Sequence, residues 1–296
     1  MHRDPILSVV IASYESENTI IGCLSSLQNQ SINKNMEIIV VDSSTDNAAT
    51  IIKETFPDII LYKFLERKYP GDARNFGVSK SRGEIIAFID TDCVADKGWV
   101  EEILKAHQSS YPVIGGIIAN GNPESYIGWA AYFCEFSQWM PQSSRRYMVE
   151  IPTCCISIKR WIFDKYGPFL EGTYSEDTAF HWKLGNDGLN PLFVPSIKVA
   201  HKNVRHLGKF IKKEFIHGRF FAKVRMSEQR FSILQRVIFI TVSPFLPFLI
   251  FFRIAMRVFG NRVYHSQFLF SFPMVFIGLI SWSCGELLGY LSKQKR

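Results

Sequence analysis

Short apolar runs rich in Val and Ile alternate with stretches of helical spacing through the first hundred residues. Leu7 to Ala12 reads as a buried strand. Ser16 offers an N-cap, and Ile20, Ile21, Leu24 and Leu27 follow at helical spacing. Glu37 to Val41 is a second strand, ending at Asp42, and Ser43 to Asn47 is turn chemistry before a helix from about Ala48. Ile59 to Tyr62 reads as a third strand. Pro70-Gly71-Asp72 reads as a turn with an N-cap, opening a helix through about Lys80. Glu84 to Ile89 is a fourth strand, and Trp99, Val100, Ile103 and Leu104 mark another helix. Such alternation predicts an α/β domain with a mostly parallel, doubly wound sheet.

The pattern is less regular afterwards. Val113 to Ile118, Thr153 to Ile158 and Leu192 to Ala200 read as strands, and Ser175 caps a helix over Glu176 to about Asn186. Residues 121 to 147 are aromatic without a clear period. Trp129, Tyr132, Phe133, Phe136 and Trp139 lie there, and such rings stack on sugars or pack a core. Repeats and low-complexity segments are absent from the sequence.

From Ile233 the character changes. Val237 to Phe252 carries no charge, although Pro244 and Pro247 interrupt it. Its length is roughly 24 Å, short of a hydrocarbon core of about 30 Å. Phe268 to Gly285 is a second uncharged run, with Trp282 near one end. Two spans joined by Arg253 to Gln267 would form a hairpin with both ends cytoplasmic, as the basic tail Lys293, Lys295 and Arg296 favours. Arg253, Arg257 and Arg262 in the connection oppose that orientation. A pair of helices lying in the interface is the alternative. The expected organisation is a catalytic domain over 1–205, a basic amphipathic interfacial segment over 206–232, and a membrane-associated helical hairpin over 233–296.

Charge sharpens this picture. The net charge is +7, and residues 202 to 236 hold ten Lys or Arg against Glu214 and Glu228. A basic, aromatic-rich stretch before an apolar segment suits an anionic membrane surface and not nucleic acid. The six cysteines are Cys23, Cys93, Cys134, Cys154, Cys155 and Cys284, without Cys-x-x-Cys or paired Cys/His spacing. They read as buried free thiols in a reducing compartment. Met1-His2-Arg3-Asp4-Pro5 shows no signal-peptide pattern, so the expected location is the cytoplasmic face of the membrane.

The candidate chemistry centres on Asp90-Thr91-Asp92, at the end of the apolar run Ile85 to Ile89. A buried strand delivering two carboxylates to its carboxyl end makes a site for a hard divalent cation. Arg74 follows a Gly-Asp turn in the first turn of a helix, where a guanidinium and free N–H groups suit a diphosphate. Glu176-Asp177 opens a helix, a place that acids favour through the dipole alone.

Further motifs stand in order: Ser8 to Tyr14, Ile38 to Ser44 around Asp42, Gly71-Asp-Ala-Arg74-Asn75-x-Gly77, Arg82-Gly83-Glu84, Ser175-Glu176-Asp177-Thr178 and His201. Over about 200 residues, the set resembles a family 2 glycosyltransferase of the GT-A fold, in a membrane-associated form. The resemblance implies a nucleotide-diphosphate sugar donor and a divalent cation, manganese or magnesium. It implies Tyr14 against the base and Asp42 hydrogen-bonded to it, with Ser13, Glu15, Arg74 and Asp90 also on the donor. Glu15 stands where the family often has Asn. Asp92 would be the metal ligand, with Asp90 near the ribose or metal and His201 completing the shell. Asp177 would be the general base of an inverting reaction, and Glu176 would orient the acceptor or its loop. Cys154-Cys155 reads as packing. His217-Gly218-Arg219 resembles a short motif of membrane-associated members.

The expected partner is a glycan or lipid-linked acceptor at the membrane. A polyprenyl-phosphate sugar synthase and a non-catalytic nucleotide-sugar-binding membrane protein are the alternatives.

Overall fold

A computed structural model describes residues 4–31, 35–141 and 144–292; the basic tail and Met1 to Arg3 lie outside them. The first elements are β1 Leu7–Ser13, α1 Ile20–Gln28, β2 Met36–Asp42, α2 Ala48–Thr55, β3 Ile60–Lys63, α3 Pro70–Lys80, β4 Ile85–Phe88, β5 Cys93–Ala95, α4 Trp99–Ala106, β6 Val113–Asn120 and α5 Tyr126–Phe136. Next come β7 Arg146–Tyr147, a 3-10 turn at Thr153–Cys155, β8 Ile156–Lys159, α6 Trp161–Tyr166, α7 Glu176–Asn186 and β9 Leu192–His201. The last are α8 Leu207–Glu228, α9 Ile233–Val242, a 3-10 turn at Ser243–Phe245, α10 Leu246–Asn261 and α11 His265–Leu291. The chain forms two compact units, Met1–Ala119 with Gln142–His201 and Asn120–Pro141 with Lys202–Arg296.

One sheet organises the first unit, in the order β3-β2-β1-β4-β8-β6-β9-β5, with β7 on β9. The parallel expectation holds for β3-β2-β1-β4, where helices supply each crossover. Beyond β4 the sheet is mixed: β8 runs antiparallel to β4 and β6, and β5 and β7 run antiparallel to β9. β1 and β4 are buried along almost their whole length, as strands covered on both faces must be.

Three local expectations shift. Ser16 is not the cap residue of α1, since Thr19 holds that place while the Ser16 carbonyl accepts from the Thr19 and Ile20 N–H groups. Pro70-Gly71-Asp72 lies inside α3, with Tyr69 at the N-cap and Pro70 at the first position, where its missing N–H costs nothing. Thr153 to Cys155 is a 3-10 turn, and the strand starts only at Ile156.

In the second unit, the aromatic stretch without a period contains α5. Trp129, Tyr132, Phe133 and Phe136 are all buried, as is Trp139 beyond the helix end, so these rings pack a core. α8 and α11 lie side by side in the same direction. A Cβ at Gly218 would collide with the Trp282 carbonyl, one at Gly285 with the Phe215 carbonyl, and one at Gly289 would lie 2.6 Å from the Ala222 Cβ. Ser281 Oγ donates to the Ile211 carbonyl at 2.7 Å. Small residues at four-residue spacing on both helices thus bring the backbones together. Ile233–Asn261 and His265–Leu291 are each long and apolar enough to cross a membrane. Arg253 and Arg257 stand within α10, so the connection between the helices is only 262–264.

Glycine also sets how α3 meets the sheet, because a Cβ at Gly77 would collide with Val10 Cγ1 on β1. Gly77→Ala is expected to destabilise the chain by about 1–3 kcal/mol through overpacking. Val10→Ala in the same chain should recover part of the loss, and Gly98→Ala, which meets nothing within 4 Å, should be neutral. Thermal unfolding of the three variants checks this, and equal losses at Gly77 and Gly98 would refute it.

Candidate active site

Strand register builds the first part of the site. Ser13, Asp42 and Lys63 end three adjacent parallel strands in one row, because Ser13 pairs with Asp42 and Asp42 with Lys63. Asp42 is fully buried. Its Oδ1 accepts from Ser13 and Ser44 Oγ at 2.6 Å each, and its Oδ2 accepts from Lys63 Nζ at 2.5 Å. A buried carboxylate needs such donors. The Glu15 carboxylate accepts from the Thr45 N–H and hydroxyl at 3.0 and 2.8 Å, and its own N–H donates to Ser44 Oγ at 2.8 Å. Glu15 therefore ties the loop after β1 to the loop after β2, from a left-handed backbone with φ of 50°. Tyr14 is 40% exposed beside these loops, with the Arg67 guanidinium 4.2 Å from its ring centroid. Arg67 also donates to the Tyr174 hydroxyl.

The second part gathers at α3. Arg74 is buried and donates through Nη2 to Asp90 at 2.7 Å and through Nη1 to Glu176. Its neighbours in sequence hold the segment that carries Glu176. Gly71 allows close approach, since a Cβ there would lie 2.5 Å from the Leu170 carbonyl and 3.1 Å from Glu176 Cβ. Asp72 accepts from the Gly172 N–H at 2.9 Å. Asn75 exchanges two hydrogen bonds with the Phe169 backbone, at 2.9 and 3.0 Å. The motif around Arg74 is thus a clamp on residues 169–176 as well as a helix start.

Burial opposes both charges in the Arg74 and Glu176 pair. Asp90 and Glu176 more than offset it for the guanidinium, whose pKa rises above its ordinary value. For Glu176 burial prevails over the pull of Arg74, and its carboxyl is pushed up to about 8. Glu176 Oε2 is buried without a hydrogen-bond partner. Asp177 lies next to it in the first turn of α7 and is half-buried. Its Oδ1 accepts from the Thr178 N–H at 2.8 Å, and its Oδ2 stands 3.5 Å from the Thr153 N–H.

The third part is made by β5 and β9. Their antiparallel register pairs Cys93 with His201, which brings Asp92 beside the imidazole, at 3.4 Å from Oδ1 to Nε2. Ligand atoms of Asp92, Cys93 and His201 lie within 4.8 Å of one another. Burial pushes the Cys93 thiol up, and it is hydrogen-bonded to Cys154. The carboxylate and imidazole are the donors that fit manganese or magnesium. Asp90 is not part of this group, since its Oδ1 is held by Arg74.

Every sequence-predicted site residue therefore falls in one of three clusters at strand ends or helix starts. Lys63, Arg67 and Cys93 were not anticipated. Lys63 ends the third strand just as Asp42 ends the second, a positional signal that the sequence does carry. His181, one turn beyond Asp177, is buried against the Ile151 carbonyl at 2.9 Å, and burial lowers its pKa. All six cysteines are free, but Cys284 is exposed and Cys134 only half-buried, unlike the expected buried set.

Residues 8–165 match the family model for Glycosyl transferase family 2. The chain is 26% identical over 224 residues to Glycosyltransferase AglE of Haloferax volcanii, covering 73% of this chain and 72% of the relative. It is 34% identical over 106 residues to Putative glycosyltransferase EpsH of Bacillus subtilis, covering 34% of this chain and only 30% of that protein. Among solved structures, the mannosyltransferase PcManGT of Pyrobaculum calidifontis, in complex with GDP-Man and Mn2+, aligns with a TM-score of 0.65 at 14% identity, over 96% of this chain and 88% of that one. TarS 1-349 of S. aureus, in complex with UDP-GlcNAc, aligns with a TM-score of 0.54 at 15% identity, over 95% and 90%. These likenesses show the GT-A fold. With the family match over more than half of its length, the chain belongs to glycosyl transferase family 2.

Proposed function

We propose that this chain is a membrane-attached, inverting glycosyltransferase that moves a sugar from a nucleotide-diphosphate sugar to a glycan or lipid-linked acceptor. The observation that carries the reading is the Arg74 bridge, which joins the Asp90 segment to the helix bearing Asp177. The nucleotide sugars in the two neighbouring structures, GDP-Man and UDP-GlcNAc, name the first donors to test.

In this reading Tyr14 and the Ser13–Asp42–Lys63 row receive the nucleoside. Glu15 holds the two loops in place for it. Asp92 and His201 hold the divalent cation, which supplies charge neutralisation for the departing diphosphate. Arg74 keeps the Asp90 carboxylate oriented toward the donor. Asp177 accepts the proton of the attacking acceptor hydroxyl at a carboxylate oxygen. Glu176 orients Arg74 and the acceptor loop from its buried position. The apolar helices and the basic α8 favour attachment to the cytoplasmic membrane, with the catalytic unit on the cytoplasmic side.

Release of nucleotide diphosphate from a donor panel, with manganese and a membrane-lipid extract, tests the reading. Asp177→Asn is expected to lower turnover by roughly 10²- to 10⁴-fold while nucleotide binding persists. Turnover that survives the substitution removes Asp177 as the base. A chelator should abolish activity, and Asp92→Asn should raise the manganese requirement at least roughly tenfold; activity indifferent to both would refute the cation.

Glu176 yields a pH prediction. Its carboxyl is raised from 4.5 to about 8 in the folded chain, so the unfolded chain loses this proton first. The stabilising contribution is complete below 4.5 and is lost as pH rises through about 8. Glu176→Gln removes that loss. Between about pH 5 and about pH 8.5, Tm should therefore fall less in the variant than in the parent. Parallel Tm curves would show that the group titrates normally.

A further inference from the structure

The two apolar helices of the second unit meet different surroundings along their lengths. α9 and α10 together run antiparallel to α11. Arg236 near the start of α9 donates to the Tyr290 and Ser292 carbonyls at the end of α11, at 2.5 and 2.9 Å. Phe248 of α10 meets Phe276, Phe251 meets Phe272, and Phe259 meets His265. Length and order alone are those of a membrane-crossing hairpin.

What lies against α11 contradicts a crossing. From Gly278 to Tyr290 it is covered by α8, from Phe210 through Met226, in backbone-to-backbone contact at Gly218, Gly285 and Gly289. That stretch of α8 carries Lys212, Lys213, Glu214, Arg219, Lys223 and Arg225. Lys212 and Arg219 are exposed. A helix so charged cannot lie beside a span inside hydrocarbon, where such side chains are rare and face water or one another. α11 itself buries Glu286 in this region, bonded to Trp282 and Tyr290.

The remaining part of α11, His265 to Ile277, is about 20 Å long, and a bilayer core needs about 30 Å. Even this part is flanked by α5. Tyr126 meets Phe270, Trp129 meets Tyr264, Phe133 meets Phe268, and Cys134 Sγ lies 3.6 Å from the Val275 carbonyl. α5 has 11 residues, too few to cross. The Glu135–Lys213 ion pair at 2.9 Å links α5 to α8, a further pair of charges beside this part of α11.

The α9–α10 segment carries an apolar surface that nothing covers. α9 has no buried residue among those described. Ile233, Val237, Phe245, Phe248, Phe252 and Phe259 are exposed at helical spacing along α9 and α10. An uncovered stripe of this size is not tolerated in water.

We propose that the second unit lies in the plane of an anionic membrane surface, with the α9–α10 stripe in the acyl boundary and neither apolar segment crossing the bilayer. Lys209, Lys212, Arg219 and Arg230 are exposed cations that supply the charge match to anionic headgroups. This rests on the membrane attachment proposed above and specifies its geometry.

The test reads the side on which the 262–264 connection emerges. The full chain carries Cys284→Ser with either Arg262→Cys at the connection or Ser227→Cys at the end of α8. Arg262 already stands in the left-handed region, so Cys adds no new strain. Sealed inside-out vesicles from expressing cells are treated with a membrane-impermeant maleimide, before and after detergent. The expected result is that both positions label before detergent, with less than a twofold increase after it. Labelling of Arg262→Cys only after detergent, with Ser227→Cys labelled throughout, would mean a crossing hairpin. That outcome overturns the in-plane geometry and leaves membrane attachment standing. Recovery of the chain in the supernatant overturns both.

Discussion

A guanidinium buried with two carboxylates is the constraint on which the catalytic unit depends. Arg74 has almost no contact with solvent, so its charge must be compensated locally. Asp90 supplies the compensating charge and the Glu176 carboxyl accepts a hydrogen bond, both from segments that are remote in sequence. Removing either acid would leave a buried cation incompletely matched, which costs far more than a surface ion pair contributes. The compensation also has a geometric consequence. It fixes the end of β4, the start of α3 and the start of α7 to one another. The acids at these three places are then held by one group, and Gly71, Asp72 and Asn75 add backbone bonds to the same segment.

Strand pairing supplies the rest of the arrangement. Parallel register puts Ser13, Asp42 and Lys63 in a row, where hydroxyl and ammonium groups satisfy a carboxylate that water does not reach. Antiparallel register puts His201 opposite Cys93, and so beside Asp92. Neither neighbourhood is a property of its local sequence. Both follow from which strand lies next to which, and a shift of one residue in either ladder would turn these side chains to the other face.

Small residues do comparable work in the second unit. Gly218 and Ala222 on α8 face Gly285 and Gly289 on α11, and the helices approach until their backbones touch. α8 adds large side chains beside them: Phe210 is fully buried, and the Phe221 ring lies 5.7 Å from that of Trp282. Other aromatic residues pack between α5, α10 and α11, where rings meet edge to face. One face of α9 and α10 is left apolar and uncovered, and this surface supports the membrane reading.

The first half of the fold was legible because its signals are local. Buried parallel strands read as continuous Val and Ile runs, and amphipathic helices such as α4 carry a clear stripe. The acids at Asp90, Asp92, Glu176 and Asp177 and the basic Arg74 were legible as residue types at element ends. Other features left no local trace. α5 is apolar at every position but Glu135 and is buried or half-buried throughout, so it shows no period. Arg67 and Cys93 acquire their places only through neighbouring strands and loops. Sequence by itself determined the family, the strand–helix alternation of the parallel half, and the acids and the arginine of the candidate site. Tertiary structure alone decided which acids share a guanidinium, which residues stand beside Asp92, and what covers α11. Those depend on contacts between distant segments, and a periodic pattern records the face that is buried but not the partner that buries it.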